Sequence, residues 1–284
     1  MSKEEDVFAG GVGVVTGAGA GIGSGIARRL GEVGMTVVVT DIDLGRAEQV
    51  AAEIRAKGGR ADAKQVDVSK PAELDRLADE VFAQYGGVRV LVNNAGIETL
   101  GLTWEIPTER WEKTLSVNIN GVVHGVRAFA PRMIASGKEG WIANLASVGA
   151  FGTMPTQTAY IMSKHAIQAF SECLYLEMEV AGAPIHVSSI IPGMLKTSIF
   201  DAAAGAGEPA GAEKHRTAMR EMMAAYGRDL AEGCARIVRQ MAEGEFWVST
   251  QPEMTTDIVD NRIAFLRDKR PPVLGEQQRQ LLGL

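Results

Sequence analysis

Val12-Gly13-Val14-Val15-Thr16-Gly17-Ala18-Gly19-Ala20-Gly21-Ile22-Gly23 runs from an apolar stretch into a glycine turn, and residues 22–33 continue it with helical periodicity. Residues 12–16 are therefore expected to form a short buried strand, followed by a tight turn and a helix. Glycines at such a junction let the backbone turn sharply and approach a pyrophosphate, whose charge meets free N–H groups and the positive end of the helix dipole. A glycine-rich turn alone is common. The next strand, residues 35–40, strengthens it by ending at Asp41, about 20 residues beyond the glycines, where a carboxylate can accept hydrogen bonds from an adenosine ribose. That carboxylate repels a 2′-phosphate, and neither Thr40 nor Ile42 supplies a compensating charge, so NAD is expected over NADP. Arg46, one helical turn on, is the side chain able to reverse this, while Asp43 reads as the N-cap of a helix over 44–57.

Outward from this unit the alternation repeats. Residues 63–68, 88–92, 141–146, 185–191 and 245–250 read as strands, and 72–85, 108–136, 156–181, 212–226 and 229–243 as helices. This order predicts an α/β protein with a three-layer Rossmann fold, a doubly wound parallel sheet of about seven strands with ligands at the strands' carboxyl ends. The 284 residues, 46% hydrophobic and 23% charged, fit one domain over 1–284. Within it, 8–197 forms the nucleotide-binding and catalytic core, 198–227 a substrate lid and 251–284 a C-terminal extension that begins with a helix over 251–270.

Composition narrows the partners. A net charge of -6 without Lys/Arg clusters argues against nucleic acid or an anionic membrane and for small molecules. Cys173 and Cys234 both lie in helical patterns, Cys173 in a position read as buried, so a disulfide framework is not expected and a reducing, cytoplasmic setting is. No apolar run approaches a membrane span, and the first eight residues are acidic rather than signal-like. His124, His165, His186 and His215 lack ligand spacing, so no metal is expected.

Residues 147–164 carry the chemistry. Tyr160 and Lys164 stand four apart in a helical pattern and so share a face. An ammonium roughly 4–5 Å from a phenol at an effective dielectric near 20 favours the phenolate by ~3–4 kcal/mol, which lowers its pKa by about two to three units. Ser147 ends the apolar run 141–146 and can present a hydroxyl to polarise a carbonyl. Asp67, at the end of its strand, can cap the following turn or meet an adenine amino group. Asn93-Asn94-Ala95-Gly96 follows a parallel strand, where small residues admit a ligand and Asn side chains can tie strands together. Asn118 and Asn120 sit inside a predicted helix against their propensity.

Together, residues 16–23, Asn93-Asn94-Ala95-Gly96, Asn118, Ser147, Tyr160 with Lys164, and Pro192-Gly193 with Thr197 resemble the classical short-chain dehydrogenase/reductase family in order and spacing, over roughly 12–197. The resemblance implies hydride transfer between a nicotinamide and a carbonyl or alcohol carbon. It makes Tyr160 the acid/base, Ser147 the holder of the substrate oxygen, Lys164 the residue that lowers the Tyr160 pKa and binds the nicotinamide ribose, and Asn118 the support for a water in a proton relay. For the cofactor it implies Gly17, Ala20, Gly21, Ile22 and Gly23 at the pyrophosphate and Asp41 with Ile42 at the ribose. Asp67 and Val68 would meet adenine, Asn94, Ala95 and Gly96 line the nucleotide, and Pro192, Gly193, Leu195 and Thr197 lie around the carboxamide.

The chain lacks the Asp-Gly-Gly ending that many family members carry after the last strand, so a homodimer on the helices bearing Asn118 and Tyr160 is expected, with a homotetramer as the larger possibility. Ile97, Val148, Phe151, Met154, Met194 and Phe200 are candidate pocket residues, mostly apolar or adaptable, and favour a hydrophobic alcohol or ketone over a charged sugar. The rival expectations are an NADPH-dependent ketoreductase of a biosynthetic pathway and a dinucleotide-sensing protein without turnover.

Overall fold

The computed structural model describes residues 2–200, 209 and 212–282. In chain order the elements are α1 (Lys3–Phe8), β1 (Val12–Val15), α2 (Gly21–Glu32), β2 (Thr36–Asp41), α3 (Leu44–Ala56), β3 (Arg60–Gln65), α4 (Pro71–Tyr85), β4 (Val90–Asn93) and α5 (Thr108–Leu115). After a π turn at Ser116–Asn120 come α6 (Gly121–Ala135), β5 (Gly140–Leu145), α7 (Thr158–Val180), β6 (Ile185–Ile191), α8 (Ala212–Tyr226), α9 (Leu230–Ala242), β7 (Trp247–Ser249), α10 (Pro252–Asp268) and α11 (Glu276–Leu282).

The seven strands form one sheet in the order β3-β2-β1-β4-β5-β6-β7, every pair parallel. This is the doubly wound Rossmann arrangement expected from the alternation. Two apolar cores explain why the central strands are valine-rich without alternation: both faces are covered. One core joins the sheet to α2, α3 and α9 through Ile26, Leu30, Val50, Ile54, Ile237 and Met241, and the other joins it to α4, α6 and α7 through Leu74, Leu77, Phe129, Met133 and Leu174. The strand order reverses between β1 and β4, so the glycine turn after β1 and Asn93-Asn94 at the end of β4 open onto the same crevice.

Several boundaries differ from expectation for local reasons. β3 begins at Arg60, not residue 63, because its partner β2 sets the register Thr36↔Arg60 through Asp41↔Gln65. As an edge strand it tolerates the polar Arg60, Asp62 and Lys64 that hide its start. The helix expected over 108–136 is two α-helices around the π turn, whose extra residue turns Asn118 inward. Cys173, expected to be buried, is exposed on α7, whereas Cys234 is buried, and both are free thiols. α1 and α11 were not legible as elements. α1 is capped by a Ser2–Glu5 box and buries Phe8 edge-on against Trp141, ring centroids 5.1 Å apart. In the expected lid, α8 forms as predicted, while residues 201–208, 210 and 211 lie outside the described residues. Among the described residues no helix is long and apolar enough to cross a membrane.

Candidate active site

The glycine turn is shaped by collisions that side chains would cause. A Cβ on Gly17, which has φ +61°, would stand 2.7 Å from Ala95 Cα, and one on Gly23 would stand 2.3 Å from Asn94 Nδ2. Asn94 is the clamp: its Nδ2 donates to the carbonyls of Thr16 at 2.8 Å and Gly17 at 3.0 Å, while its own N–H donates to Thr16 Oγ1. Ala20 precedes α2 without a side-chain cap, so the first N–H groups of that helix keep their donors turned to the crevice. Asp41 closes the far side, where Oδ2 accepts from Gly19 N at 2.9 Å and Oδ1 from Asp43 N at 3.0 Å. Arg46 pairs with Asp43 at 3.4 Å, and Ile42 is exposed beside it. Bare amides beside an acid, with space that only glycine leaves open, fit the diphosphate and ribose of a dinucleotide.

Asp67 caps its turn: Oδ1 accepts from Ser69 N at 3.0 Å and Ser69 Oγ at 2.6 Å. Burial works upward on this carboxyl, but the Ser69 hydrogen bonds and the nearby Lys70 charge outweigh it and hold the pKa below the usual range. Val68 is buried under α6, where its side chain leaves room only for glycine at Gly121 and its carbonyl meets His124 Nδ1 at 2.9 Å.

Three elements deliver the polar side chains around Tyr160. β5 ends in Leu145, and Ser147, just beyond it, accepts from Gly149 N at 3.0 Å through Oγ and hydrogen-bonds the Tyr160 phenol. α7 presents Tyr160 and Lys164 on one face, with Lys164 Nζ donating to Leu145 O at 2.7 Å and lying 5.4 Å from the centre of the Tyr160 ring. The π turn supplies Asn118, 1% exposed, whose Oδ1 accepts from Ile97 N at 2.8 Å while Nδ2 donates to Ile97 O at 2.9 Å and Ser163 Oγ at 3.1 Å. Both hydrogens of that amide are therefore committed to holding the 97 loop against α7. Gly96 sits between these groups, since a Cβ there would lie 3.6 Å from Asn118 Oδ1 and 3.8 Å from Lys164 Nζ.

The charges correct one expectation. Lys164 does not lower the Tyr160 pKa in this arrangement. Burial raises it, the Glu98 charge raises it further, and the Ser147 hydrogen bond only partly offsets them. Lys164, only 4% exposed, is itself pushed down to about 8 by burial, with Glu98 opposing. The surface-like dielectric assumed from spacing understates the cost of removing both groups from water. Glu98 was not singled out from sequence. An acid two residues after Gly96, in an otherwise apolar stretch, was its available signal.

The expected pocket residues divide. Ile97, Val148, Met154 and Met194 are half-buried near these loops and Phe200 is buried. Phe151 stacks on Trp247 at 5.4 Å, which directs it to the first residue of β7. Leu195 is fully buried, packed so closely against α9 that only glycine fits at Gly233, so its side chain cannot reach a carboxamide and only its main chain is available. Pro192 O accepts from Val148 N at 3.2 Å and Gly193 N donates to Thr250 Oγ1 at 3.1 Å. Thr197 faces the glycine turn, its Cγ2 being 3.7 Å from where a Gly21 Cβ would lie, and both line a cavity of about 440 Å³ roofed by Arg220, Met223 and Ala224 of α8. Thr156, just before α7, holds φ +68°, a left-handed conformation rare outside glycine. Among the described residues no three His, Cys, Asp or Glu side chains gather as a metal site.

Comparison with known proteins follows the same lines. Residues 12–206 match the family model described as short chain dehydrogenase. The chain is 39% identical over 185 residues to the "Probable oxidoreductase EphD" of Mycobacterium tuberculosis, covering 65% of this chain but only 31% of that relative. It is 32% identical over 190 residues to the cyclohexanol dehydrogenase of an Acinetobacter strain, covering 66% of this chain and 74% of the relative. A short-chain dehydrogenase/reductase from Burkholderia phymatum, solved in complex with NAD, superposes with a TM-score of 0.89 at 29% identity over 94% of this chain and 98% of that one. A metagenomic short-chain oxidoreductase in complex with NADP gives 0.63 at 34% identity over 67% and 85%. With the glycine turn, the parallel sheet and the Ser147-Tyr160-Lys164 grouping on one crevice, and a family match across most of the chain, the protein belongs to the short-chain dehydrogenase family.

Proposed function

We propose that the protein is an NAD-dependent oxidoreductase that moves a hydride between the nicotinamide and a hydrophobic, cyclic or aromatic, secondary alcohol or its ketone. The observation that carries this is the convergence of Ser147, Tyr160 and Lys164 at the carboxyl edge of the sheet, next to a glycine cradle faced by Asp41. The amides of Gly17 and of Ala20 to Gly23 hold the diphosphate, Asp41 and Ile42 the adenosine ribose, and Asp67 and Val68 border the adenine. Asn94 to Gly96 line the nucleotide, Lys164 holds the second ribose, and Pro192, Gly193, the Leu195 main chain and Thr197 surround the carboxamide. When bound, the nicotinamide supplies or takes up the hydride. Ser147 fixes the substrate oxygen, and Tyr160 takes the alcohol proton in oxidation or returns it in reduction. The Asn118 side chain, committed to Ile97 and Ser163, leaves the π-turn backbone as the support for a relay water.

NAD over NADP rests on Asp41, because Arg46, the cation able to meet a 2′-phosphate, is paired with Asp43. The similarity to a cyclohexanol dehydrogenase and the half-buried Ile97, Val148, Met154 and Met194 support the substrate class. Free thiols at Cys173 and Cys234 support a cytoplasmic setting, and exposed Tyr175, Leu176 and Val180 on α7 support a homodimer or homotetramer packed there. Residues 1–284 act as one domain, with α8 as part of the lid. Measuring reduced-nicotinamide absorbance with cyclohexanol and each cofactor tests this. Turnover with NAD at least ten times more efficient than with NADP is expected, and an NADP preference would instead establish the ketoreductase alternative.

A further inference from the structure

Glu98 has no part in the cofactor cradle, yet the fold holds it firmly against the start of α7. The residue before it, Ile97, is gripped at both backbone atoms by Asn118, at 2.8 and 2.9 Å. Glu98 Oε1 accepts from Gln157 Nε2 at 3.4 Å, and Gln157 is the N-cap of α7, the helix that presents Tyr160 and Lys164. Glu98 Oε2 is buried. The Glu98 charge acts on Tyr160 and on Lys164 alike. Among the described residues, ionisable groups near this corner include His215, bonded to Thr156, and Arg216, whose Nε lies 3.5 Å from Glu213 on its own helix.

Burying a carboxylate costs free energy that a purely apolar alcohol pocket would avoid. A carboxylate there raises the barrier to any second negative charge and favours neutral, cationic or hydrogen-donating groups. We propose that Glu98 is a specificity-determining residue which, pinned between the Asn118 clamp on Ile97 and Gln157, gives the alcohol pocket a fixed negative charge and turns away anionic alcohols. This deepens the proposed function and rests on it.

The test compares cyclohexanol with a hydroxycyclohexanecarboxylate, which has the same ring and one added negative charge. The full-length enzyme is assayed as wild type, Glu98→Gln and Glu98→Asp. Wild type and Glu98→Asp should favour the neutral alcohol in kcat/KM, and Glu98→Gln should reduce that preference roughly 10- to 100-fold, the range that one nearby charge provides at intermediate dielectric. In parallel, NMR titration of ¹³C-lysine-labelled protein without cofactor should place the Lys164 midpoint lower in Glu98→Gln than in wild type. An unchanged neutral-to-anionic ratio in a folded Glu98→Gln enzyme overturns the proposal, as does an unchanged Lys164 midpoint. A wild-type enzyme that oxidises no cyclic alcohol with either nucleotide would instead sink the proposed substrate class and the selectivity claim with it, while the Lys164 midpoint would still decide whether the Glu98 charge reaches the pair.

Discussion

In the proposed reaction Tyr160 is a phenol that must exchange a proton where the surroundings resist its ionisation. Burial and Glu98 keep the proton on, and the Ser147 hydrogen bond only partly relieves this. Reduction of a ketone, which needs the phenol as donor, should therefore run evenly through neutral pH. Oxidation, which needs the phenolate, should climb as pH rises, by up to about tenfold per unit between roughly 7 and 9. Rate profiles taken in both directions check this, and an oxidation rate that falls over that interval would contradict it. Lys164 moves the other way, losing its charge as pH rises through about 8, so binding that depends on its ammonium should weaken there. Tyr160→Phe should cut turnover ~10²–10⁴-fold while leaving NAD binding, followed by fluorescence titration, within about twofold of wild type. Retained turnover would remove Tyr160 from its role. Residue types and spacing made Tyr160, Lys164 and Ser147 legible in the sequence. Their proton affinities were not, because burial and a charge brought in from the 97 loop depend on the assembled fold.

At the scale of elements, helical and apolar periodicity located most of the sheet and its covering helices, and failed where a partner rather than the segment itself sets the structure. β3 takes its register from β2, the π turn is accompanied by Asn118 bonding Ile97 across the fold, and α11 is a seven-residue helix held by Gln278 on Thr153. α8 carries a further consequence of this kind. His215, 2% exposed, has Nδ1 3.1 Å from Thr156 Oγ1, and its buried Nε2 has no hydrogen-bond partner among the described residues. Burial first, then the Arg216 charge, lower its pKa from 6.5, so the folded state favours the neutral ring. A group whose folded pKa is depressed contributes stability that is present above its unfolded value and is lost as pH falls through the folded one. α8 should therefore loosen from the body as pH drops below about 6.5, and hydrogen exchange of its amides should accelerate there. His215→Gln, which cannot titrate, should remove that acid sensitivity. Identical exchange-versus-pH curves for the two proteins would show that His215 is not the responsive group.

For the whole molecule, the C-terminal extension packs on the segment that follows Ser147 and on α8. α10 places Ile258 Cδ1 2.8 Å from where a Cβ on Gly152 would lie, and Gln278 Nε2 on α11 donates to Thr153 O at 2.6 Å. α11 also packs on α8, so the loop after Ser147 and α8 share one support. This support lies outside the residues matched by the family model and takes the place of the missing Asp-Gly-Gly ending. Because these contacts lie at the rim and not in either core, ending the chain after Asp268 should leave the sheet intact, with a Tm shift of no more than about 2–4 °C. It should raise KM for cyclic alcohols several-fold with little change in kcat, since Tyr160 and Lys164 are fixed by α7 and β5 rather than by the tail. Gln278→Ala, which removes only the bond to Thr153, should move KM in the same direction by a smaller amount. If both variants keep the wild-type KM, the extension serves a surface other than the alcohol pocket. A loss of kcat in step with KM would mean that the tail orders the Ser147 loop itself.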